Sequence, residues 1–243
     1  MPAANISNRR TALITGHSSG IGRVICERLL TDGFNTIGLA RTAGKPPLDH
    51  SHHESIAIDF ADWDTLADRI PGIIKTYPII DVLICCAGQG RFGDLETFSL
   101  AQIRQLMDIN FTAHAYLARC LLPAMKTRRA GKLIFMGSES ALEGGRKGAI
   151  YSASKFALRG LAQALRKETG RQGIGVTIIN PGMVRSPFFD DLDFAPGEED
   201  NQAILPEDIA EAVAMVLGSR QGTVFDEINL SPSNKVIQHK YER

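Results

Sequence analysis

The chain has no excess of either charge and few cysteines. Its 243 residues contain 27 lysines and arginines against 27 aspartates and glutamates, so the formal net charge is zero. A neutral chain has no general attraction for nucleic acid or for an anionic membrane, and we expect neither as a partner. The four cysteines, at positions 26, 85, 86 and 120, form no Cys-x-x-Cys pair and predict a reduced, cytoplasmic setting.

Long apolar runs and low-complexity segments are also absent from the sequence. No run approaches the roughly 20 residues of a membrane helix, and residues 1–10 carry no apolar signal core, so we expect no membrane association. No linker-like segment divides the chain. We therefore predict one domain over residues 1–243, long enough to bury a substantial core.

What the sequence does contain is an alternation of short apolar runs with helical patterns. Strands are predicted at residues 11–15, 35–40, 55–58, 81–85, 132–136, 176–179 and 224–230. Helices are predicted over residues 21–33, 99–126, 151–169 and 206–217, with a capping box at the start of the second. Strands that alternate with helices predict an α/β fold of three layers, α/β/α, around a doubly wound parallel sheet.

A glycine-rich segment joins the first predicted strand to the first helix. Gly16, Gly20 and Gly22 follow the spacing Gly-x-x-x-Gly-x-Gly, with Ser18 and Ser19 between them. Glycines allow a sharp turn and a close backbone approach, and the start of a helix offers unpaired N–H groups to a phosphate. We interpret the segment as a dinucleotide-binding turn, and a turn that serves only chain geometry is the alternative.

Tyr151 and Lys155 lie one turn apart on the helix predicted at residues 151–169. Because positions i and i+4 share a helix face, the Lys155 ammonium can approach the Tyr151 phenol and lower its pKa. An ordinary amphipathic pair is the alternative. Together with the hydroxyl of Ser138, a phenol and a neighbouring cation can polarise and protonate a carbonyl group.

The glycine spacing and Tyr151-x-x-x-Lys155 together resemble the NAD(P)-dependent short-chain dehydrogenases/reductases, over essentially the whole chain. The resemblance implies a Rossmann-type fold in which Tyr151 exchanges a proton with the substrate and Lys155 holds the nicotinamide ribose. Its spacing favours Ser138 over Ser140 as the hydroxyl that binds the substrate oxygen. By the same resemblance, Asn110 holds a water that connects Lys155 with solvent, although a surface asparagine is the alternative.

The resemblance also implies a set of residues that contact the dinucleotide. They lie in the glycine turn, after the second, third, fourth and sixth strands, and on the helix of Tyr151: Gly16, Ser18, Ser19, Gly20, Ile21, Gly22, Arg41, Asp59, Phe60, Ala87, Gly88, Tyr151, Lys155, Pro181, Gly182, Val184 and Ser186. Arg41 follows the second strand where a carboxylate would accept a hydrogen bond from the ribose 2′-hydroxyl of NAD. A guanidinium there favours a 2′-phosphate, so NADP(H) is expected in preference to NAD(H); a solvated arginine is the alternative.

Two adjacent cysteines and three nearby histidines could in principle have chemical roles. Cys85 and Cys86 stand where the family usually has two asparagines, and we expect them to pack as small hydrophobic residues. His50, His52 and His53 lie in one polar segment without cysteine or carboxylate partners at metal spacing, and we predict a solvated loop and no metal site.

The sequence therefore predicts an NADP(H)-preferring oxidoreductase that interconverts a small carbonyl compound and a secondary alcohol. A 3-oxoacyl-carrier-protein reductase is one alternative, with Arg146-Lys147 as a basic entrance, and a non-catalytic NADPH-binding regulatory protein is another. Phe188 and Phe189 begin a predicted substrate loop around residues 186–204, where they either line an apolar pocket or pack into the core. By resemblance, the two longest helices pair between subunits, so we expect a homodimer or homotetramer.

Overall fold

The computed structural model describes residues 9–44 and 47–240. Its strands are β1 (Thr11–Thr15), β2 (Asn35–Ala40), β3 (His53–Ala57), β4 (Val82–Cys85), β5 (Gly131–Met136), β6 (Ile174–Pro181), β7 (Phe194–Pro196), β8 (Glu227–Leu230) and β9 (Ile237–His239). Its α-helices are α1 (Gly20–Thr31), α2 (Trp63–Thr76), α3 (Leu100–Met107), α4 (Ala113–Arg128), α5 (Ala149–Thr169) and α6 (Pro206–Gly218).

Seven parallel strands form one sheet in the order β3-β2-β1-β4-β5-β6-β8, which confirms the predicted doubly wound sheet. The strand order reverses between β1 and β4, where Ile14 pairs with Gly38 on one side and with Ile84 on the other. Ligands of such sheets bind outside the carboxyl ends of the strands at this reversal. The fold therefore places the candidate site at the ends of β1 and β4.

Helices cover both faces of the sheet and create two hydrophobic cores. On one face, α2, α4 and α5 bury side chains such as Leu66, Leu117 and Leu158. On the other face, α1 and α6 bury side chains such as Ile25 and Val213. Successive strand residues point to opposite faces and both faces are covered, so the central strands are continuously apolar, as parallel strands usually are.

The helix predicted over residues 99–126 is interrupted in the structure. Ser99 and Gln102 form the predicted capping box, since Ser99 Oγ accepts from Gln102 N at 3.3 Å and Gln102 Oε1 accepts from Ser99 N at 2.9 Å. Between α3 and α4, residues Asp108–Thr112 adopt a π-helical turn, a feature that often marks functional sites. This turn contains Asn110.

Helix α2 and strands β7 and β9 were not predicted from the sequence, and the ends of three predicted strands differ from the structure by two residues or more. The N-terminus of α2 carries a clear signal, because Asp62 accepts a hydrogen bond from Thr65 N at 3.0 Å just before an apolar helical pattern. Strand β3 begins two residues earlier than predicted, β6 is two residues longer at each end, and β8 begins three residues later. Within the described residues, no helix has the length and apolar character needed to span a membrane.

Candidate active site

The glycine turn leads from β1 directly into α1. Gly16 adopts a left-handed backbone with φ of 73°, and its N–H donates to Leu39 O at 2.8 Å. A Cβ on Gly22 would lie 2.3 Å from Gly16 O, so the turn and the helix pack too closely for any side chain there. Within the described residues, the Ser19 side chain makes no capping bond at the start of α1, and the first turn of that helix has no acidic residue. The first N–H groups of α1 therefore suit an anion.

The side chain of His17, within this turn, packs against strand β2. Its ring lies against the backbone of Gly38, where a Cβ would be only 2.3 Å from His17 Cγ, and its Nε2 lies 2.9 Å from Ser55 Oγ. Burial, together with the nearby His53, whose ring centroid is 5.2 Å away, lowers the pKa of His17 to about 4. His17 is therefore neutral near pH 7.

The expectation that His50, His52 and His53 share a solvated loop is wrong for His53. This residue begins β3, and its Nδ1 lies 2.9 Å from Thr36 Oγ1, inside the fold. Burial is the main reason why its pKa is lowered. In residues 9–44 and 47–240, no group of three or more His, Cys, Asp or Glu side chains is arranged to hold a metal ion.

A cavity of about 780 Å³, here called the turn cavity, lies along the carboxyl ends of β1 to β4. Twelve of the residues predicted to contact the dinucleotide border it: Gly16, Ser18, Ser19, Gly20, Ile21, Gly22, Arg41, Asp59, Phe60, Ala87, Gly88 and Ser186. Arg41 is exposed at its edge, and the Asp59 carboxylate accepts from Ala61 N at 2.9 Å. The structure thus gathers around one crevice residues that are far apart in the sequence.

A second cavity of about 650 Å³, here called the tyrosine cavity, adjoins the first. The remaining predicted residues that border it are Ser138, Tyr151, Lys155, Pro181, Gly182 and Val184. Six residues border both cavities: Ile21, Cys86, Gly88, Phe92, Ser186 and Phe188. A molecule bound in the turn cavity can therefore reach the side chains of the tyrosine cavity.

Tyr151 is 7% exposed at the N-terminal end of α5. Burial raises the pKa of Tyr151 to about 12; a hydrogen bond with Ser138 opposes the rise, and the Glu139 carboxylate adds to it. The expectation that Lys155 lowers this pKa is wrong for this structure. Lys155 Nζ lies 5.8 Å from the centre of the phenol ring, and it donates to Met136 O at 2.9 Å.

Lys155 is buried as deeply as Tyr151. Burial lowers the pKa of Lys155 to about 8, because removing an ammonium from water disfavours its charged form, and the Cys86 thiol opposes the change. The ammonium is therefore mainly charged near pH 7, and it loses its proton as the pH rises through about 8.

Ser138 and Ser140 both border the tyrosine cavity, and a hydrogen bond with Ser138 is among the causes that set the pKa of Tyr151. Ser138 follows β5 by two residues and is 8% exposed, and its Oγ accepts from Ser140 N at 3.1 Å. This backbone contact fixes the hydroxyl beside the phenol. In this arrangement the O–H groups of Ser138 and Tyr151 can both donate hydrogen bonds to one substrate oxygen.

Asn110 is fully buried, so the surface-asparagine alternative is wrong. Its Oδ1 accepts from Gln89 N at 2.8 Å, and its Nδ2 donates to Gln89 O at 3.0 Å and to Ser154 Oγ at 3.1 Å. Asn110 borders neither cavity. Through these bonds it fixes the segment after β4 against α5, the helix that carries Tyr151.

Sequence reasoning missed the residues that tie β1 to the end of β4. Thr15 Oγ1 accepts from both Cys86 N and Ala87 N at 2.9 Å, and it lies 3.3 Å from His114 Nε2. Burial lowers the pKa of His114 to about 3, so its ring stays neutral and can accept a hydrogen bond from the Thr15 hydroxyl. The available signal was a histidine within an otherwise apolar helix face.

The two cysteines of this region have different surroundings. Cys85 is fully buried in β4 and packs as a small hydrophobic residue, as predicted. Cys86 is only partly buried and borders both cavities. Burial raises the pKa of Cys86 to about 12, so its thiol remains protonated at neutral pH.

Both alternatives for the aromatic pair after β6 hold in part. Phe188 and Phe189 border the tyrosine cavity, and Phe189 is also buried at 9% exposure. Strands β7 and β9, which were not predicted from the sequence, also border the tyrosine cavity, β7 through Phe194 and β9 through Ile237. The C-terminal segment of the described chain thus forms part of the cavity.

Comparison with known proteins agrees with this geometry. The model of the short chain dehydrogenase family matches residues 10–195. An uncharacterised oxidoreductase of Staphylococcus aureus is 28% identical over 228 residues, which cover 92% of this chain and 97% of the relative. A metagenomic short-chain oxidoreductase in complex with NADP has a TM-score of 0.77 and 28% identity, covering 93% of this chain and 98% of its own.

A short-chain dehydrogenase from Streptomyces avermitilis has a TM-score of 0.78 and 26% identity, covering 93% of this chain and 89% of its own. Since the family model spans most of its length, this chain belongs to the short-chain dehydrogenase family and is an oxidoreductase.

Proposed function

We propose that this protein is an NADP(H)-preferring oxidoreductase that interconverts a carbonyl compound and a secondary alcohol. One observation carries the proposal: Ser138, Tyr151 and Lys155 meet in a cavity that adjoins the glycine turn. A proton donor, a second hydroxyl and a cation therefore lie beside a crevice suited to a dinucleotide.

The residues around the turn cavity fit such a cofactor. The start of α1 offers N–H groups to the pyrophosphate, and the hydroxyls of Ser18 and Ser19 border the same space. The NADP complex of the metagenomic relative supports this class of cofactor for this chain. When bound, a nicotinamide dinucleotide supplies or accepts the hydride.

Tyr151 acts as the proton donor in carbonyl reduction. With its pKa raised to about 12, the phenol keeps its proton at neutral pH until negative charge develops on the substrate oxygen. Ser138 donates a hydrogen bond to the same oxygen and stabilises that charge. In alcohol oxidation the Tyr151 phenol must first lose its proton, and the resulting phenolate then accepts the proton of the substrate hydroxyl.

Lys155 and Asn110 support this proton transfer by binding the cofactor and by positioning the helix of Tyr151. The Lys155 ammonium borders the tyrosine cavity, and in this proposal it donates hydrogen bonds to the ribose hydroxyls of the nicotinamide half. Asn110 acts as a positioning residue, because its side chain is committed to Gln89 and Ser154. A water-mediated path from Lys155 to solvent near Asn110 remains part of the proposal.

Arg41 supports the preference for NADP(H). It follows β2 at the edge of the turn cavity, beside Thr42, and no carboxylate follows it in the sequence before Asp49. A guanidinium at this position can form a charge-assisted pair with a 2′-phosphate, which NAD(H) lacks.

A turnover screen tests the proposal. The purified protein is incubated with NADPH and a panel of ketones, aldehydes and sugars, and with NADP⁺ and the corresponding alcohols. We expect NADPH consumption with formation of one alcohol per NADPH for at least one carbonyl class. Cofactor binding without turnover of any panel member would contradict the proposal.

Reduction of a 3-oxoacyl group on an acyl carrier protein is a second candidate. Arg146 and Lys147 border the tyrosine cavity and are exposed, as a basic entrance for an acidic carrier requires. Faster turnover of the carrier-bound substrate than of a small thioester, and loss of that advantage in an Arg146→Ala, Lys147→Ala variant, would favour it.

We also infer a homodimer or homotetramer. Helix α5 presents Phe156 to solvent at 43% exposure, on the helix that resembles the subunit-pairing helices of the family. Light scattering should give a mass of two or four chains, and a monomer at working concentration would contradict this inference.

A further inference from the structure

The phenol of Tyr151 belongs to a closed ring of five aromatic side chains, here called the aromatic cluster. Its other members, in order, are Phe92, Phe194, Phe189 and Phe188. Starting from the Tyr151–Phe92 pair, neighbouring ring centroids lie 5.1, 5.0, 5.7, 5.1 and 6.0 Å apart. All five side chains border the tyrosine cavity. The candidate proton donor is therefore part of an aromatic wall.

The backbone around the cluster leaves space for these rings. Phe188 lies over Gly90, where a Cβ would be only 2.5 Å from Phe188 Cζ. Phe188 and Phe92 also border the turn cavity, whereas Phe189 and Phe194 border only the tyrosine cavity. The far side of the cluster therefore belongs to the substrate side of the site.

The C-terminal strand holds this far side in place. Strand β9 pairs antiparallel with β7, and Phe194 lies opposite His239. Lys240 N donates to Asp193 O at 2.8 Å, and Lys240 Nζ donates to the carbonyl oxygens of Phe189 and Asp190. These bonds fix the backbone of the segment that presents Phe189 and Phe194.

Several polar side chains near the cluster are already engaged. Glu139 pairs with Lys235 at 2.8 Å, and Ser138 Oγ accepts from Ser140 N at 3.1 Å, which leaves its O–H for the reacting oxygen. A substrate rich in hydroxyl groups would place them against aromatic rings, where their hydrogen bonds to water are lost. The cluster therefore disfavours sugar-like carbonyl compounds.

We propose that the preferred substrate carries an aromatic ring close to the carbonyl group that is reduced. This substrate class rests on the proposed function, because it assumes that Tyr151 protonates a carbonyl oxygen. The rings of the cluster meet at steep angles, 83° for Phe92 with Phe194 and 77° for Phe188 with Phe189. Such edge-to-face contacts favour a further flat ring over a saturated ring of the same size.

Three ketones test the substrate class: phenylacetone, cyclohexylacetone and hydroxyacetone. In the first two the carbonyl is separated from the ring by one carbon, so conjugation does not change its reactivity. Edge-to-face contacts with two rings should make kcat/KM with NADPH about tenfold higher for phenylacetone than for cyclohexylacetone. Hydroxyacetone should be the poorest of the three.

The variant Phe194→Leu links this selectivity to the cluster. Phe194 does not border the turn cavity, so we expect NADPH binding to be unaffected. The ratio of kcat/KM for phenylacetone to kcat/KM for cyclohexylacetone should fall toward one, through a higher KM for phenylacetone. Phe225→Leu is the matched control, because Phe225 is also partly buried but packs against the core formed by α1 and α6. The control should keep the ratio of the unmodified protein.

The outcomes separate this inference from the proposed function. Equal kcat/KM for the two ring ketones, or an unchanged ratio in folded Phe194→Leu, would overturn the substrate class alone. If Phe194→Leu does not fold, as judged by thermal melting, Phe189→Leu takes its place with the same criterion, because Phe189 also borders the tyrosine cavity and not the turn cavity. Reduction of other panel members but of none of the three ketones would also overturn the substrate class alone. Failure to reduce the three ketones and every member of the wider carbonyl panel would overturn the proposed function itself.

Discussion

Lys155 Nζ donates a hydrogen bond to Met136 O at 2.9 Å, at the end of β5. This bond links α5 to the strand that leads into Ser138, so the cation and the hydroxyl are held by the same pair of elements. It also directs the ammonium to a carbonyl oxygen inside the fold. For this reason burial, and not Lys155, determines the pKa of Tyr151 in this structure.

The pH dependence of carbonyl reduction should report the ionisation of Lys155. Burial lowers its pKa to about 8, so the cation is present below that pH and is lost above it. We expect kcat/KM for reduction, which reports the free enzyme, to fall as the pH rises through about 8.

Lys155→Met should lower kcat/KM and remove this decline at alkaline pH, because no ammonium is left to titrate. Lys167→Met changes an exposed lysine on the same helix and should leave the profile unchanged. Profiles of the same shape in the unmodified protein and in Lys155→Met would contradict the assignment.

Ser138→Ala should lower kcat much more than Ser140→Ala does. A hydrogen bond with the Ser138 hydroxyl influences the pKa of the Tyr151 phenol, and loss of one hydrogen bond to a developing oxyanion typically costs about 10²–10³ in kcat. Ser140→Ala keeps the backbone N–H that binds Ser138 Oγ, which makes it a close control. A larger loss in Ser140→Ala would show that the wrong serine has been assigned.

Arg41→Ala should reduce the preference for NADPH over NADH by about tenfold or more, because it removes a charge-assisted contact with the 2′-phosphate. The measurement is kcat/KM for both cofactors at a fixed carbonyl concentration. Arg220→Ala, an exposed arginine that borders neither cavity, is the control. Equal use of both cofactors by the unmodified protein, or an unchanged preference in Arg41→Ala, would contradict the role of Arg41.

The protein should lose stability in mild acid because His17 is buried as a neutral ring. Its pKa is about 4 in the fold against 6.5 in the unfolded chain, so between these values the unfolded chain binds more protons. Stability is therefore complete above pH 6.5 and declines as the pH falls toward 4. The buried His114 acts in the same direction.

Thermal melting at about pH 7 and about pH 5 measures this decline. The difference between the two melting temperatures should be smaller in His17→Asn than in the unmodified protein, whereas His52→Asn should leave it unchanged. The comparison uses the pH-dependent difference, so a general loss of stability in His17→Asn does not affect it. An equal difference in all three proteins would contradict the account of His17.

The sequence predicts the sheet, five of the six described helices (α3 and α4 as one) and the residues that gather at the carboxyl edge of the sheet. Apolar runs and glycine spacing are local patterns. The apolar runs predict the strands correctly because both faces of the sheet are covered by helices, so that the central strands are continuously apolar. Helix α2 also has a local signal, at Asp62, that the sequence analysis did not use. Strands β7 and β9 could not be predicted in the same way, since each is three residues long and exists only through pairing with the other.

The site was predicted less completely than the fold. The i, i+4 spacing correctly placed Tyr151 and Lys155 on one helix face, but the pKa of Tyr151 depends on burial by residues from other elements. The π-helical turn at Asn110 and the contact between Thr15 and His114 likewise arise from packing between segments that are distant in the sequence. Such features have no local pattern from which to predict them.

The central claim is that the Tyr151 hydroxyl donates the proton to the substrate oxygen. Tyr151→Phe removes that hydroxyl and keeps the ring of the aromatic cluster, so the most direct measurement is kcat of this variant for a carbonyl compound that the unmodified protein reduces. We expect a loss of about 10²–10⁴-fold with NADPH affinity nearly unchanged, as for the removal of a positioned acid. Retention of most of the original kcat by the folded variant would contradict the claim.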